Sequence, residues 1–333
     1  MTRLVHGLAA AALLCAPAAA SAQAGAARSI SAADKQTGAS AHPGLLSEFG
    51  GAYRGPQSAM VERVGRRVAV QSGLSNAGAD FTVTLLDSPV ENAFAIPGGY
   101  VYVTRQLLAL MNSEAELASV MGHEVGHVAA RHSAGRNTRA GIGGLLARGV
   151  GAATGSDLAT RAVGTVANLY TLKYGRDQEY QADALGIRYM TAAGYDPYAA
   201  ADILSALDES TSLSAAASGK SGRTLPTFAS SHPNGEDRVR RAAKLAAETG
   251  RPETAAAQDV AFLRSLDGLR FGPAGSGQVV RVVTVGPRDT VDTLAARMDF
   301  PELKRERFLV LNGLDPRAAA PPRGALVKLI VRG

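Results

Sequence analysis

The chain has 333 residues, 46% of them hydrophobic and 19% charged, with a formal net charge of +6 and no tryptophan. That length allows one sizeable core plus a smaller module, and the apolar content excludes global disorder. The thin basic excess forms no concentrated stripe with aromatic platforms, which argues against a nucleic-acid partner.

The N-terminus reads as an export signal. Arg3 precedes an apolar run from Leu8 to Ala20, and Ala20-Ser21-Ala22 gives a small-x-small pattern before Gln23. Residues 1–22 are therefore expected to be a signal peptide, too short for a transmembrane anchor, that directs the chain out of the cytoplasm to the periplasm. The single cysteine, Cys15, lies inside this run. Leu13 and Leu14 before it are not the small residues of a lipoprotein signal. The mature chain then has no thiol, so a metal must be held by histidine and carboxylate. Residues 23–50 are rich in Ala, Ser and Gly and are expected to be a flexible leader, with no role for His42.

Beyond the leader the pattern is α+β. Met60, Val61, Val64 and Val68 fit a helix over 57–70. Residues 81–86 read as a strand, and 93–96 and 100–104 as two strand pieces around Pro97-Gly98-Gly99, where proline and glycine favour an edge. An exposed edge can bind an extended peptide by strand addition, which makes Ala95, Ile96, Gly98 and Gly99 candidate substrate-binding residues. Ser113 and Glu116 form a capping-box pattern that opens the next helix. Residues 135–170, rich in Gly and Ala, read either as small-residue helix packing or as a hairpin touching membrane or covering the site; they are too short of apolar residues to span a bilayer. A helix runs from about Gln178 to Ala193, another from Asp196-Pro197 to near Leu207, then a Ser/Gly-rich loop over 210–231. Residues 236–248 and 252–269 read as helical, and 271–277 as a linker.

His123-Glu124-Val125-Gly126-His127 carries the chemistry. Histidines four apart share one helix face and can reach one metal ion, and Glu124 can meet a water there as general base. Catalytic zinc takes three protein ligands. Glu179 on the following helix supplies a third, with Asp183 one turn on, placed to accept from a ligand histidine and fix its tautomer. His232 is open between an auxiliary or regulatory ligand, a stabiliser of the oxyanion and a helix cap. His132 follows the motif by five residues and is expected to point to the surface.

These segments resemble the gluzincin endopeptidases of the HtpX, Oma and CAAX-prenyl-protease type. The resemblance runs from about Tyr53 to Leu269 and includes residues 87–104, Ser231-His232-Pro233 and Glu236-Asp237-Arg238. It implies a mainly helical zincin-type domain over 51–250 with a small edge-exposed sheet, and one zinc per chain on His123, His127 and Glu179, with Glu124 as base. It places the chain near the soluble periplasmic BepA type, without tetratricopeptide repeats. Its implied substrates are unfolded or misassembled envelope proteins. Past the helix and linker at 251–277, residues 278–333 have a strand–helix–helix–strand order. With the turns Gly286–Thr290 and Asn312-Gly313-Leu314 this resembles a LysM domain, which implies attachment to peptidoglycan. A cell-wall hydrolase and a non-enzymatic chaperone or assembly factor are the competing expectations.

Overall fold

A computed structural model describes residues 29–74, 77–132, 174–217, 227–232, 235–253 and 258–333. The expected signal peptide and the Gly/Ala-rich stretch fall outside these. Among the described residues no helix is long and apolar enough to cross a membrane.

A three-stranded sheet, β1 (Thr82–Leu86), β2 (Ala93–Ile96) and β3 (Tyr100–Thr104), lies under the site in the order β1-β3-β2. β3 runs parallel to β1 and antiparallel to β2. Side chains alternate between the faces of a strand, so each face of the sheet needs a cover. Val83, Leu85, Ala93, Ala95, Val101 and Val103 join the main core, with α2 (Pro56–Ala69) and α5 (Glu114–Ala129) packed there. Leu86, Phe94, Ile96 and Tyr102 form a second cluster with Ala41, Leu45 and Phe49.

That second cluster corrects the expected leader. Residues 32–48 form a helix, α1 (Ala32–Glu48), capped by the Ser31 hydroxyl accepting from Asp34 N–H, and His42 Nδ1 lies 2.7 Å from the Tyr102 hydroxyl. Burial of its apolar face on the sheet overrides a poor local composition, Pro43 included. Between α2 and β1 lies a short helix, α3 (Ala77–Asp80), and after β3 comes α4 (Arg105–Leu110).

α5 and α6 (Arg176–Ala192) pack closely. A Cβ added at Gly122 would lie 2.8 Å from Gly186 O, and one at Gly186 would lie 2.7 Å from His123 N. The bare backbones let the two helices touch, which brings their functional side chains together.

α7 (Ala199–Ala217) runs ten residues past the expected end. Its hydroxyls explain the difference: Thr211 Oγ1 donates back to Leu207 O and Ser210 Oγ to the Glu91 carboxylate, so they do not compete with the helix. Inside the expected loop sits a further short helix, α8 (Phe228–Ser231), followed by α9 (Glu236–Glu248). Of the helix expected over 252–269, only α10 (Val260–Ser265) forms among the described residues.

The expected linker is a hairpin: β4 (Arg270–Phe271) pairs with β5 (Gln278–Thr284). Arg105 donates to Arg270 O and Gly272 O, pinning it to α4. Then follow α11 (Val291–Ala296), α12 (Lys304–Leu311) and β6 (Leu326–Arg332), antiparallel to β5. The strand–helix–helix–strand order is as expected, but this unit shares one continuous core with the peptidase-like part. Fully buried Lys328 on β6 donates to Ala109 O, Leu110 O and Met111 O at 2.7, 3.0 and 2.5 Å. Asn312 of the Asn-Gly-Leu turn brackets Lys328, accepting from its N–H and donating to its carbonyl.

Candidate metal centre

α5 begins at Ser113, whose hydroxyl accepts from Glu116 N–H. The Glu116 carboxylate reaches past the cap to Asn112 N–H, so the capping box is shifted by one residue. Three turns in, His123 and His127 stand on the face turned toward α6. Their Nε2 atoms are 3.0 Å apart. Glu179 comes from the first turn of α6, with Oε2 3.5 Å from His123 Nε2 and Oε1 3.6 Å from His127 Nε2. His232, just after α8, adds Nδ1 at 3.1 Å from His123 Nε2 and 3.0 Å from Glu179 Oε1. All four residues are buried, and their donor atoms lie within 4.8 Å of one another.

The donor set fits a zinc ion. Ligand atoms on a tetrahedral ion with bonds of about 2.0–2.2 Å stand roughly 3.3–3.6 Å apart, and the close approaches given above are 3.0–3.6 Å. His123 Nδ1–H donates to Asp183 Oδ1 at 2.9 Å, which leaves His123 Nε2 bare when the ring is neutral. That lone pair faces the other donors at close range, an arrangement a cation relieves. With neutral rings, the carboxylates of Glu124, Glu179 and Asp183 outnumber the Arg238 guanidinium, leaving excess negative charge that a dication balances.

Arg238, in the first turn of α9, is the residue the sequence left without a role. Its Nε and Nη2 fork onto Asp183 Oδ2 and Oδ1 at 2.8 and 2.7 Å, and Nη1 lies 3.0 Å from Glu179 Oε2. Burial alone would raise the Asp183 carboxyl, but the Arg238 fork and His123 hold it well below the usual carboxylate range. Glu179 is lowered as well: burial opposes, and His232 and His123 outweigh it. The only sequence signal for Arg238 was its place in the quoted Glu236-Asp237-Arg238 segment.

Glu124 is treated differently. It is fully buried, and neither carboxylate oxygen has a hydrogen-bond partner. Burial pushes its carboxyl up, against the pull of His232 and His123. His232 Nε2, also without a hydrogen-bond partner, is 3.5 Å from Glu124 Oε1. His127 is pushed well below the usual histidine range by burial and then by its histidine neighbours. Rings close the pocket: Tyr174 stacks on His127 at 3.8 Å and Phe228 on His232 at 4.6 Å.

His132 is not at the surface. It is buried, with Nδ1 2.8 Å from His127 Nδ1. α5 ends in a Schellman turn: Arg131 N–H donates to Val128 O and His132 N–H to His127 O, with Arg131 left-handed at φ 56°. That turn folds His132 back under His127. Glycine usually marks such a turn, and arginine stands in its place, so no local pattern announces it.

A cavity of about 280 Å³ opens beside His127, lined by Ile96, Pro97, Gly98, Ile30, Asp34 and Arg131 among others. Of the four candidate substrate-binding residues, Ile96 and Gly98 reach it. Ala95 faces the core, and Gly99 packs against Asp80 O while its carbonyl accepts from Thr82 N–H. Of the two strands around Pro97-Gly98-Gly99, β2 lies at an edge of the sheet and β3 is central.

Two helices that bring histidines and carboxylates together across glycine contacts, clamped by an arginine from a third, define a metallohydrolase of the histidine-and-glutamate type. Residues 56–246 match peptidase family M48, and the chain belongs to that family, a family of zinc metallopeptidases. It is 33% identical over 215 residues to the mitochondrial metalloendopeptidase OMA1 of Schizosaccharomyces pombe, covering 62% of this chain and 59% of that protein. It is 28% identical over 216 residues to the beta-barrel assembly-enhancing protease of Yersinia pestis, covering 61% of this chain and 42% of that one. The Escherichia coli K12 protein of the same name is 30% identical over 135 residues, 36% of this chain and 26% of that protein. The chain thus spans less than two thirds of the length of these relatives.

Proposed function

We propose that this chain is a zinc-dependent endopeptidase that cleaves extended segments of cell-envelope proteins after export to the periplasm. The observation that carries the reading is Glu124: a buried carboxylate with two unpartnered oxygens, set against four metal-donor groups. A buried, unpaired carboxylate is costly to keep unless chemistry uses it.

His123, His127 and Glu179 would hold the zinc. A zinc ion held there would supply Lewis acidity toward a carbonyl oxygen and toward a water. Glu124 takes the proton from that water and delivers it to the departing amine; the upward push of burial suits a base that works near neutral pH. Asp183, clamped by Arg238, keeps the His123 proton on Nδ1. Catalytic zinc sites keep one position for water, so His232, which adds a fourth donor, must swing out of the set before a substrate is attacked. The outer edge of β2 would pair with the substrate backbone, and the cavity at Ile96 and Gly98 would take a side chain next to the scissile bond.

Within this reading residues 1–22 are the export signal, and misassembled envelope proteins are the substrates, in a quality-control role. The relatives named as beta-barrel assembly-enhancing proteases support that setting. The C-terminal unit, LysM-like in its element order, would add contact with peptidoglycan; co-sedimentation with purified sacculi tests that part by itself. Casein cleavage by the zinc-loaded chain, abolished by chelator and restored by zinc, tests the reading as a whole. Turnover of sacculi without cleavage of unfolded protein would replace it with a cell-wall hydrolase.

A further inference from the structure

The two ligand histidines are supported in different ways. His123 donates to a carboxylate. His127 meets another histidine: His127 Nδ1 is 2.8 Å from His132 Nδ1, and His132 Nε2 is 3.0 Å from Gln181 Oε1 on α6. The geometry points to His132 as a positioning residue that selects the metal-binding tautomer of His127, with Gln181 setting His132 in turn. This rests on the zinc-centre reading above.

The proton positions are fixed from the outside inward. An amide oxygen only accepts, so His132 Nε2 carries a hydrogen and donates it to Gln181 Oε1. A neutral His132 then has a bare Nδ1. Two bare nitrogens do not sit 2.8 Å apart, so His127 Nδ1 carries the hydrogen between them and donates it to His132. His127 Nε2 is left bare, facing His123 Nε2 and Glu179 Oε1 among the metal donors. Were Gln181 to present a donor instead, His132 Nδ1 would carry the proton and His127 would lose this tautomer. The backbone holds the relay in place: the Schellman turn ties His132 N–H to His127 O, and His132 is only 7% exposed. The same relay spans the two helices, since His132 follows α5 and Gln181 lies on α6 between Glu179 and Asp183.

A neutral imidazole is a weaker acceptor than a carboxylate. His127 therefore receives orientation from its partner and little of the added basicity that Asp183 gives His123.

The test uses the full chain and zinc alone as probe, with affinity measured by competition against a chromogenic chelator. His132→Leu removes the acceptor and should weaken zinc binding 10–100-fold. His132→Asn returns an acceptor oxygen close to the position of Nδ1 and should stay within about threefold of the parent, on the scale of that same loss. Melting temperatures of the metal-free variants report packing separately. Equal losses in both variants, or a His132→Leu chain that binds zinc as tightly as the parent, overturn the assignment. Nitrogen-15 spectra of the zinc-loaded parent give a second readout that needs no variant to fold. The expected result is a protonated His127 Nδ1 with a coupling across the hydrogen bond to His132 Nδ1; a proton belonging to His132 Nδ1 overturns it. A parent chain that takes up no zinc overturns the zinc-centre reading too, whereas normal uptake in the parent with failure of either arm overturns this inference alone.

Discussion

The molecule buries two polar networks, one at the metal centre and one where the C-terminal unit meets α4 and α5, and they are built on opposite rules. At the C-terminal junction the buried ammonium of Lys328 finds an acceptor for every N–H. Lys328 places its three N–H groups on three successive carbonyls, and Glu116, seven residues before His123, is its counter-charge. Burial pulls Lys328 down to about 7 and pushes Glu116 up to about 7, each resisted by the other. At the metal centre Glu124 and His232 keep atoms that pair with nothing. A satisfied buried network fixes a structure, whereas an unsatisfied one marks where a ligand or a reaction belongs. The contrast separates two roles for buried charge within one core.

The sharpest way to break that contrast is Glu124→Gln. It should lower casein cleavage by about 10³-fold, the span of a lost general base, while zinc content and melting temperature stay close to the parent. Undiminished cleavage would place the base elsewhere. Lys328→Met should do the reverse. It strands Glu116 and three carbonyls, and it should cost about 3–5 kcal/mol in chemical denaturation, with most of that recovered when Glu116→Gln is added. A variant as stable as the parent would show that the C-terminal unit is not nailed to the core.

Asp183→Asn lies between the two networks, because Asp183 is paired like the junction but serves the site. It should cost about 3 kcal/mol in the metal-free chain through the stranded Arg238, and weaken zinc binding 10–100-fold. The sign of the pH effect follows from its lowered carboxyl: the pair's stabilisation is complete above the ordinary carboxylate pKa of about 3.9 and drains away as pH falls toward the folded value. The parent-minus-variant difference should therefore be flat above about pH 5 and shrink below about pH 4; a difference that grows in acid contradicts the assignment. Gly186→Ala is the smallest of the set. Its methyl would meet the His123 backbone, forcing the helices apart at a cost of about 1–3 kcal/mol, and zinc affinity should fall with it. Unchanged affinity would show that helix spacing does not set the donor geometry.

What the sequence disclosed follows from how far each signal reaches. The α5 motif, the Glu179–Asp183 pair and the strands are periodic features within one element, so their faces were legible. The features it hid depend on chain far away. α1 is helical because Leu45 and Phe49 find the sheet, not because Ala/Ser/Gly-rich sequence favours a helix. Lys328 looks like a lone cation in an apolar strand until α4 supplies three carbonyls. Arg238 lies more than fifty residues beyond the carboxylates it grips, and His132 was concealed by an arginine where a turn of that kind ordinarily shows glycine. His232 stayed open in the sequence, since nothing in its local pattern distinguishes a ligand from a cap.

Ser29 and Ile30, just before α1, both line the cavity beside His127. Anyone producing this protein therefore has a reason to choose which end carries a purification tag. A polyhistidine tag fused close before Ser29 would hang at the mouth of a cavity next to a zinc centre, able to compete for the ion and to lie where a substrate should. The same tag after Gly333 would follow the exposed Arg332 at the end of β6 instead.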